Sequence, residues 1–254
     1  MEKLEKWIEN EVIPAKKKGM RYLSEQYFHR VESRPTFLDN SYMFSPADGT
    51  ILGAYENIKA YESIIQVKGV NFSLKDLMQD EDFGGKRKEF LVVSIFMSFY
   101  DQHQNYIPYA GNRTYEELPS LRTFNKPMIQ IEKDLLEGII NPEFQETYLR
   151  ENNREISTIN SPLLGPEFEY YLVRLGDYEV DTFINYHQPD GSQSAFFGQN
   201  DRFGMISYGS QCVLIIPQPK YKEDNVSFKL RKGVEVGMHV KCKEDALVQI
   251  NYPY

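Results

Sequence analysis

Phe203-Gly-Met-Ile-Ser-Tyr-Gly-Ser-Gln-Cys-Val-Leu-Ile-Ile-Pro217 carries the strongest fold signal in this chain. Cys212–Ile216 is a short, unbroken apolar run closed by Pro217, which reads as a core strand. Gly209-Ser210 stands where that strand begins. Glycine weakens a strand interior and marks a bulge or a close backbone approach. Two readings are open at this point: a plain turn, or a peptide bond that is itself a reaction site.

Outward from this strand the pattern repeats. Thr50–Leu52, Ser63–Val67, Phe90–Phe96, Tyr170–Leu175 and Ala246–Asn251 are β-branched or aromatic runs separated by Gly, Asn, Asp and Pro, the signature of strands. Leu74–Met78, Met128–Gly138 and Pro142–Arg150 read as helices, and 112–168 as the longest loop-rich section. At the N-terminus, 2–32 reads as helix. Leu4, Trp7, Ile8 and Val12 fall near helical spacing, Pro14 interrupts, and Met20, Leu23, Tyr27 and Phe28 resume it. The expected fold is α+β: a mainly-β core, sandwich- or barrel-like, with N-terminal and peripheral helices. The expected domains are an N-terminal helical region, 1–43, and a catalytic domain, 44–254. In Leu230–Lys241, Gly233 and Gly237 lie among alternating valines and predict a hairpin beside a second strand. These turns resemble those of biotinyl and lipoyl carrier sandwiches, but no lysine sits in the carriers' modification motif.

The composition excludes several classes. The 254 residues carry a formal charge of -8, opposite to the basic face of a nucleic-acid binder. Such a length buries a core without disulfide or metal staples. Two cysteines, Cys212 and Cys242, with no CxxC spacing make structural zinc and a disulfide framework unexpected. A reducing, cytoplasmic compartment is expected. The first twenty residues show no apolar run of signal-peptide type, and no stretch approaches the length of a membrane span. Trp7 and Lys16-Lys17-Lys18 leave open a peripheral contact with a lipid surface.

Four stretches, taken together and in order, resemble one family, the pyruvoyl-dependent phosphatidylserine decarboxylases. They are Phe44-Ser-Pro-Ala-Asp-Gly-Thr-Ile51, Val67-Lys-Gly-Val-Asn-Phe-Ser-Leu-Lys-Asp-Leu77, Phe99-Tyr-Asp-Gln-His-Gln-Asn-Tyr-Ile-Pro-Tyr-Ala-Gly111 and Arg202-Phe-Gly-Met-Ile-Ser-Tyr-Gly-Ser210. The third is similar to the form found in the shorter bacterial branch. Glu151-Asn-Asn-Arg154 resembles a further stretch of the family. The resemblance covers about 44–217. It implies that Ser210 attacks the Gly209 carbonyl and that the chain splits between Gly209 and Ser210. Glycine removes side-chain bulk from that attack path. Ser210 then becomes a pyruvoyl group, the built-in cofactor, and no metal or nucleotide is required. The implied substrate is a phospholipid, phosphatidylserine, or else a soluble amino acid. Family members are often dimeric. By the same resemblance His103 is the base or proton donor, and Asp48 orients the base in the logic of a nucleophile–base–carboxylate relay.

The sequence departs from the family in two places. Tyr106 replaces the second histidine that longer members carry three residues after the first. The shorter branch lacks that histidine too, so the change does not by itself abolish processing: either His103 serves both steps, or cleavage is slow or absent; a non-cleaving binding protein is the alternative. Gln211 replaces the Thr, Ser or Arg usual after the serine. His29, His187 and His239 belong to no motif and read as structural or exposed, and Cys212 as core packing. Gly84-Gly85 beside Lys86-Arg87-Lys88 reads as a solvated loop, with phosphate binding as the alternative.

Overall fold

The computed structural model describes residues 1–17, 29–67, 70–85, 89–119, 129–140, 152–176, 182–186, 194–207, 211–219 and 226–252. Its strands are β1 (Glu2–Lys3), β2 (Tyr42–Phe44), β3 (Gly49–Ile58), β4 (Ser63–Val67), β5 (Val70–Ser73), β6 (Phe90–Phe96), β7 (Gln104–Tyr106) and β8 (Gly111–Leu118). They continue as β9 (Arg154–Asn160), β10 (Glu169–Leu175), β11 (Phe183–Asn185), β12 (Ala195–Phe197), β13 (Arg202–Ile206), β14 (Gln211–Pro217), β15 (Ser227–Leu230), β16 (Met238–Val240) and β17 (Ala246–Asn251).

One antiparallel sheet organises the molecule, in the order β1-β16-β3-β6-β14-β10-β9-β8-β12. β14, the apolar run read first, lies between β6 and β10. Cys212, Val213, Leu214, Ile215 and Ile216 are all fully buried, as the lack of polar alternation requires of a strand covered on both faces. Val213 and Ile215 face one core with Val92, Phe96, Trp7 and Leu135. Leu214 and Ile216 face the other, with Phe203, Phe228, Val248 and Ile250. The second core is roofed by two small sheets, β11-β13-β7 and β15-β17-β2. The mainly-β expectation holds, and the helices lie at the periphery.

The first core is closed by helices. α1 (Leu4–Trp7), a π-helical turn (Ile8–Val12) and α2 (Ile13–Lys17) follow one another without a break. Pro14 therefore does not end the helix as expected. A proline lacks the N–H for the bond to the carbonyl four residues back and crowds that carbonyl, and here a wide π turn immediately precedes it. Trp7 is buried, stacked on His239 at 4.4 Å, so it is a core residue and no lipid anchor. α3 (Leu74–Met78) begins with a capping box in which Ser73 and Asp76 bond each other's backbone amides. α4 (Ile129–Leu136) lies within the stretch expected to be helical.

Three other expectations are corrected. Residues 29–32, the end of the expected helix, are not helical, and 30–39 run on as a strap without helix or strand. The loop-rich section contains β8 and β9, both strands of the large sheet. The Leu230–Lys241 hairpin does not form. β15 pairs with β17, and β16 with β1 and β3, so Gly233 (φ 91°) and Gly237 (φ 86°) turn the chain from one sheet to another. Pro142–Arg150, His187 and Lys86-Arg87-Lys88 lie outside the described residues, as do Met20, Leu23, Tyr27 and Phe28.

Candidate active site

The site forms where the chain crosses from the small sheet to the large one. β13 ends at Ile206 and β14 starts at Gln211. Tyr208, Gly209 and Ser210 lie outside the described residues, but both flanks are fixed. Ser207 donates its amide to the Thr182 carbonyl at 2.7 Å. Gln211 pairs with Phe96 and Leu175 on either side, and its side-chain amide donates to Ser94 Oγ at 2.6 Å.

The motif stretches meet at this crossover. β7, from the third stretch, pairs with β13, from the fourth. The Ile206 amide bonds the His103 carbonyl at 3.0 Å, and the Tyr106 amide bonds the Pro46 carbonyl, in the first stretch, at 2.9 Å. Asp48-Gly49 is the entry to β3 and not a free turn. A Cβ on Gly49 (φ 150°) would lie 2.2 Å from the Phe96 carbonyl oxygen, so only glycine lets the two backbones approach. Phe96 is in turn the partner of Gln211. The second and fifth stretches meet separately: Arg154 donates to the Leu77 carbonyl at 2.7 Å, at the C-terminal end of α3.

His103 is fully buried. Its Nε2 lies 3.1 Å from the Ser98 carbonyl oxygen. A carbonyl only accepts, so Nε2 carries the proton, and in the neutral ring Nδ1 is the basic atom. Burial pushes His103 down to about 4, assisted by nearby His29 and opposed by Ser98, Asp101 and Ile206. The ring is neutral at physiological pH. Asp101 closes the same loop, accepting from the Ser98 amide at 2.8 Å and from His239 Nε2 at 2.8 Å. Burial pushes the Asp101 carboxyl up, but His239 and Ser98 outweigh it and hold it below the usual carboxylate range.

Asp48 does not join this group. Arg34 Nη1 and Nη2 donate to its two oxygens at 2.6 and 2.5 Å, and the Cys242 amide at 2.9 Å. None of its hydrogen bonds goes to His103, so the direct Asp48–His103 contact expected from the relay is absent. The physical reason is the strap: Arg34 reaches Asp48 first, and Glu32 bonds the same guanidinium. Tyr106 is buried beside this ion pair, and burial raises its phenol, with Cys242 and Asp48 adding to the effect.

Sequence reading missed Arg34, Asp101 and His239. Asp101 lay inside a quoted stretch, two residues from His103. His239, read as structural or exposed, is buried and paired across 138 residues, a separation that no local pattern reports. A buried network was missed too. Glu155 accepts from Arg113 at 2.5 Å and from Arg174 at 2.6 Å, and Arg174 also donates to the Met205 carbonyl in β13 at 3.2 Å. An arginine inside the apolar run Tyr170–Leu175 was its one visible sign. Gly84 and Gly85 border a pocket of about 600 Å³ that Lys59, Lys75, Glu81 and Asp82 also line; the two carboxylates weigh against an anion there. Among the described residues no group of three His, Cys, Asp or Glu could hold a metal ion.

A neutral imidazole beside a carboxylate, bonded into the backbone four residues before a serine, is an arrangement able to move a proton. The phosphatidylserine decarboxylase family model matches residues 25–242, and the chain belongs to that family of carboxy-lyases. It is 26% identical over 210 residues to a putative archaetidylserine decarboxylase proenzyme of Methanopyrus kandleri, covering 83% of this chain and 76% of that protein. It is 27% identical over 205 residues to the phosphatidylserine decarboxylase proenzyme of Francisella philomiragia, covering 79% and 68%. A Clostridium beijerinckii phosphatidylserine decarboxylase proenzyme is 37% identical over 86 residues, covering 32% of this chain and 28% of that one.

Proposed function

We propose that this chain is a proenzyme that splits itself between Gly209 and Ser210 and then decarboxylates phosphatidylserine. The observation that carries the reading is the convergence of the first, third and fourth motif stretches on one sheet-to-sheet crossover, with neutral His103 bonded to its edge.

In this reading His103 Nδ1 takes the proton of the Ser210 hydroxyl as the oxygen attacks the Gly209 carbonyl carbon. The amide C–N bond breaks, an ester forms, and the freed amine receives a proton. Asp101 holds the ring through Ser98 and favours its protonated form during the transfer. Loss of the Ser210 α-proton then expels the Gly209 carboxylate. Water hydrolyses the resulting dehydroalanine and releases ammonia, leaving a ketone at the start of β14. The pyruvoyl group so formed supplies an electron sink for the substrate's departing carboxyl. The adjacent buried Gln211 has a side-chain oxygen without a hydrogen-bond partner among the described residues, an acceptor suited to an arriving substrate N–H. In turnover His103 would take a proton that the substrate's ammonium group gives up and deliver it to the carbon that carbon dioxide leaves. Asp48, tied to Arg34, holds the strap against the first motif stretch and supports the site from outside the proton path.

The strap also bears exposed Val31, Phe37 and Leu38, apolar groups suited to peripheral contact with a lipid surface from the cytoplasmic side. Among the described residues no helix is long and apolar enough to cross a membrane. A second reading, a homologue that never splits, is favoured by Tyr106 standing beside Asp48 where longer family members carry a histidine.

A denaturing gel and an intact mass of the purified protein test the reading. The expected result is two fragments, 1–209 and 210–254, the smaller one blocked at its N-terminus. Carbon dioxide release from phosphatidylserine vesicles should then exceed release from free serine. A single unbroken chain supports the second reading, and faster turnover of free serine a soluble substrate.

A further inference from the structure

The N-terminal strap contributes a residue to the crossover itself. His29 Nε2 lies 3.2 Å from the Ser207 carbonyl oxygen, so the ring N–H donates. The His29 carbonyl in turn accepts from Gln104 Nε2 at 2.9 Å, in β7 of the third motif stretch. The strap is held at further points along its length. Arg30 donates to the Tyr100 carbonyl at 2.8 Å, the Glu32 amide to Gln102 Oε1 at 3.0 Å, and Arg34 grips Asp48. The His29 ring is therefore presented to Ser207 by a braced segment.

Ser207 is thereby fixed at both backbone groups, its amide on Thr182 and its carbonyl under His29. Only residues 208–210 separate it from Gln211, which is fixed in the large sheet. Attack by a serine oxygen on the preceding carbonyl needs a short approach along a narrow path. Holding the flanks removes chain freedom that would otherwise be lost at the moment of reaction. Resting on the self-cleavage reading above, we propose that His29 is a positioning residue for that cleavage, clamping the upstream side of the Gly209–Ser210 bond from the N-terminal strap.

The test is a time course of splitting of the full chain made by cell-free translation, followed by mass. The wild type is compared with His29→Phe, which keeps a ring and loses the donor, and with His29→Gln, which keeps an N–H. His29→Phe should split about tenfold more slowly, and His29→Gln within about twofold of the wild type from pH 5.5 to 8.5, because a clamp needs a donor and no titration. A misfolded fraction lowers the amplitude of splitting and leaves the rate constant of the folded fraction readable. Equal rates for His29→Phe and the wild type would overturn the proposal, as would His29→Gln as slow as His29→Phe. Both outcomes leave self-cleavage standing. A wild-type chain that never splits removes this proposal together with the reading beneath it.

Discussion

Burial moves two titratable side chains, His103 and Glu132, in opposite directions. His103 is pushed down to about 4 from 6.5, so as pH falls through 6.5 the unfolded chain takes the proton first. The stability this neutral ring allows is present above pH 6.5 and is lost between 6.5 and 4, by up to about 3 kcal/mol. His103→Gln should flatten that acid limb in urea unfolding, measured in a Ser210→Ala background, and should abolish splitting in the otherwise native chain. Glu132 is the reverse case. Burial, with nearby Asp101, pushes it up to about 8 against the pull of the Phe99 backbone and Lys16. Here the folded state keeps the proton, and stability falls as pH rises from 4.5 to 8, by at most about 5 kcal/mol. Glu132→Gln should remove the decline between pH 5 and 8; an unchanged slope would mean that the carboxyl is not held neutral. Asp48→Asn should cost about 1.5–3 kcal/mol, because Arg34 loses its buried partner and keeps only the more exposed Glu32, and denaturant midpoints measure it.

Glu155 joins three elements, accepting from Arg113 in β8 and Arg174 in β10 while itself in β9. Glu155→Gln leaves two buried guanidinium groups facing each other and should destabilise by about 3–5 kcal/mol. Arg174 also holds the Met205 carbonyl of β13, so splitting should slow as well; a stable variant that splits normally would separate the network from the crossover. Elements differ in how far the sequence exposes them. Ala246–Asn251, Phe90–Phe96 and Cys212–Ile216 were legible because their apolar runs are long and sharply bounded. β1 was not, since Glu2-Lys3 joins the sheet only through the backbone of β16. The Leu230–Lys241 hairpin failed because two glycines mark a turn without saying which strands it connects. At the site, His103 and Asp48 were visible as motif letters. Which partner each carboxylate takes was not, because Arg34 and His239 arrive from distant parts of the chain.

The whole molecule must survive the loss of a peptide bond. Splitting after Gly209 assigns β14, β15, β16 and β17 to the smaller fragment. β14 is inserted between β6 and β10, β16 between β1 and β3, and β17 lies beside β2. The smaller fragment therefore contributes interior strands to two sheets, and its departure would expose backbone donors and acceptors on β3, β6 and β10 together with both faces of β14. The split protein should elute from a sizing column in native buffer as one species containing both fragments, and separate only in denaturant. Unfolding should then tell the two forms apart. The uncut Ser210→Ala chain refolds within one molecule, so its midpoint should not depend on protein concentration. The split form must recover a partner, and its midpoint should rise with concentration, by RT ln 10, about 1.4 kcal/mol, for each tenfold increase. Fragments that drift apart in native buffer would mean that β14 does not hold the interior position seen here.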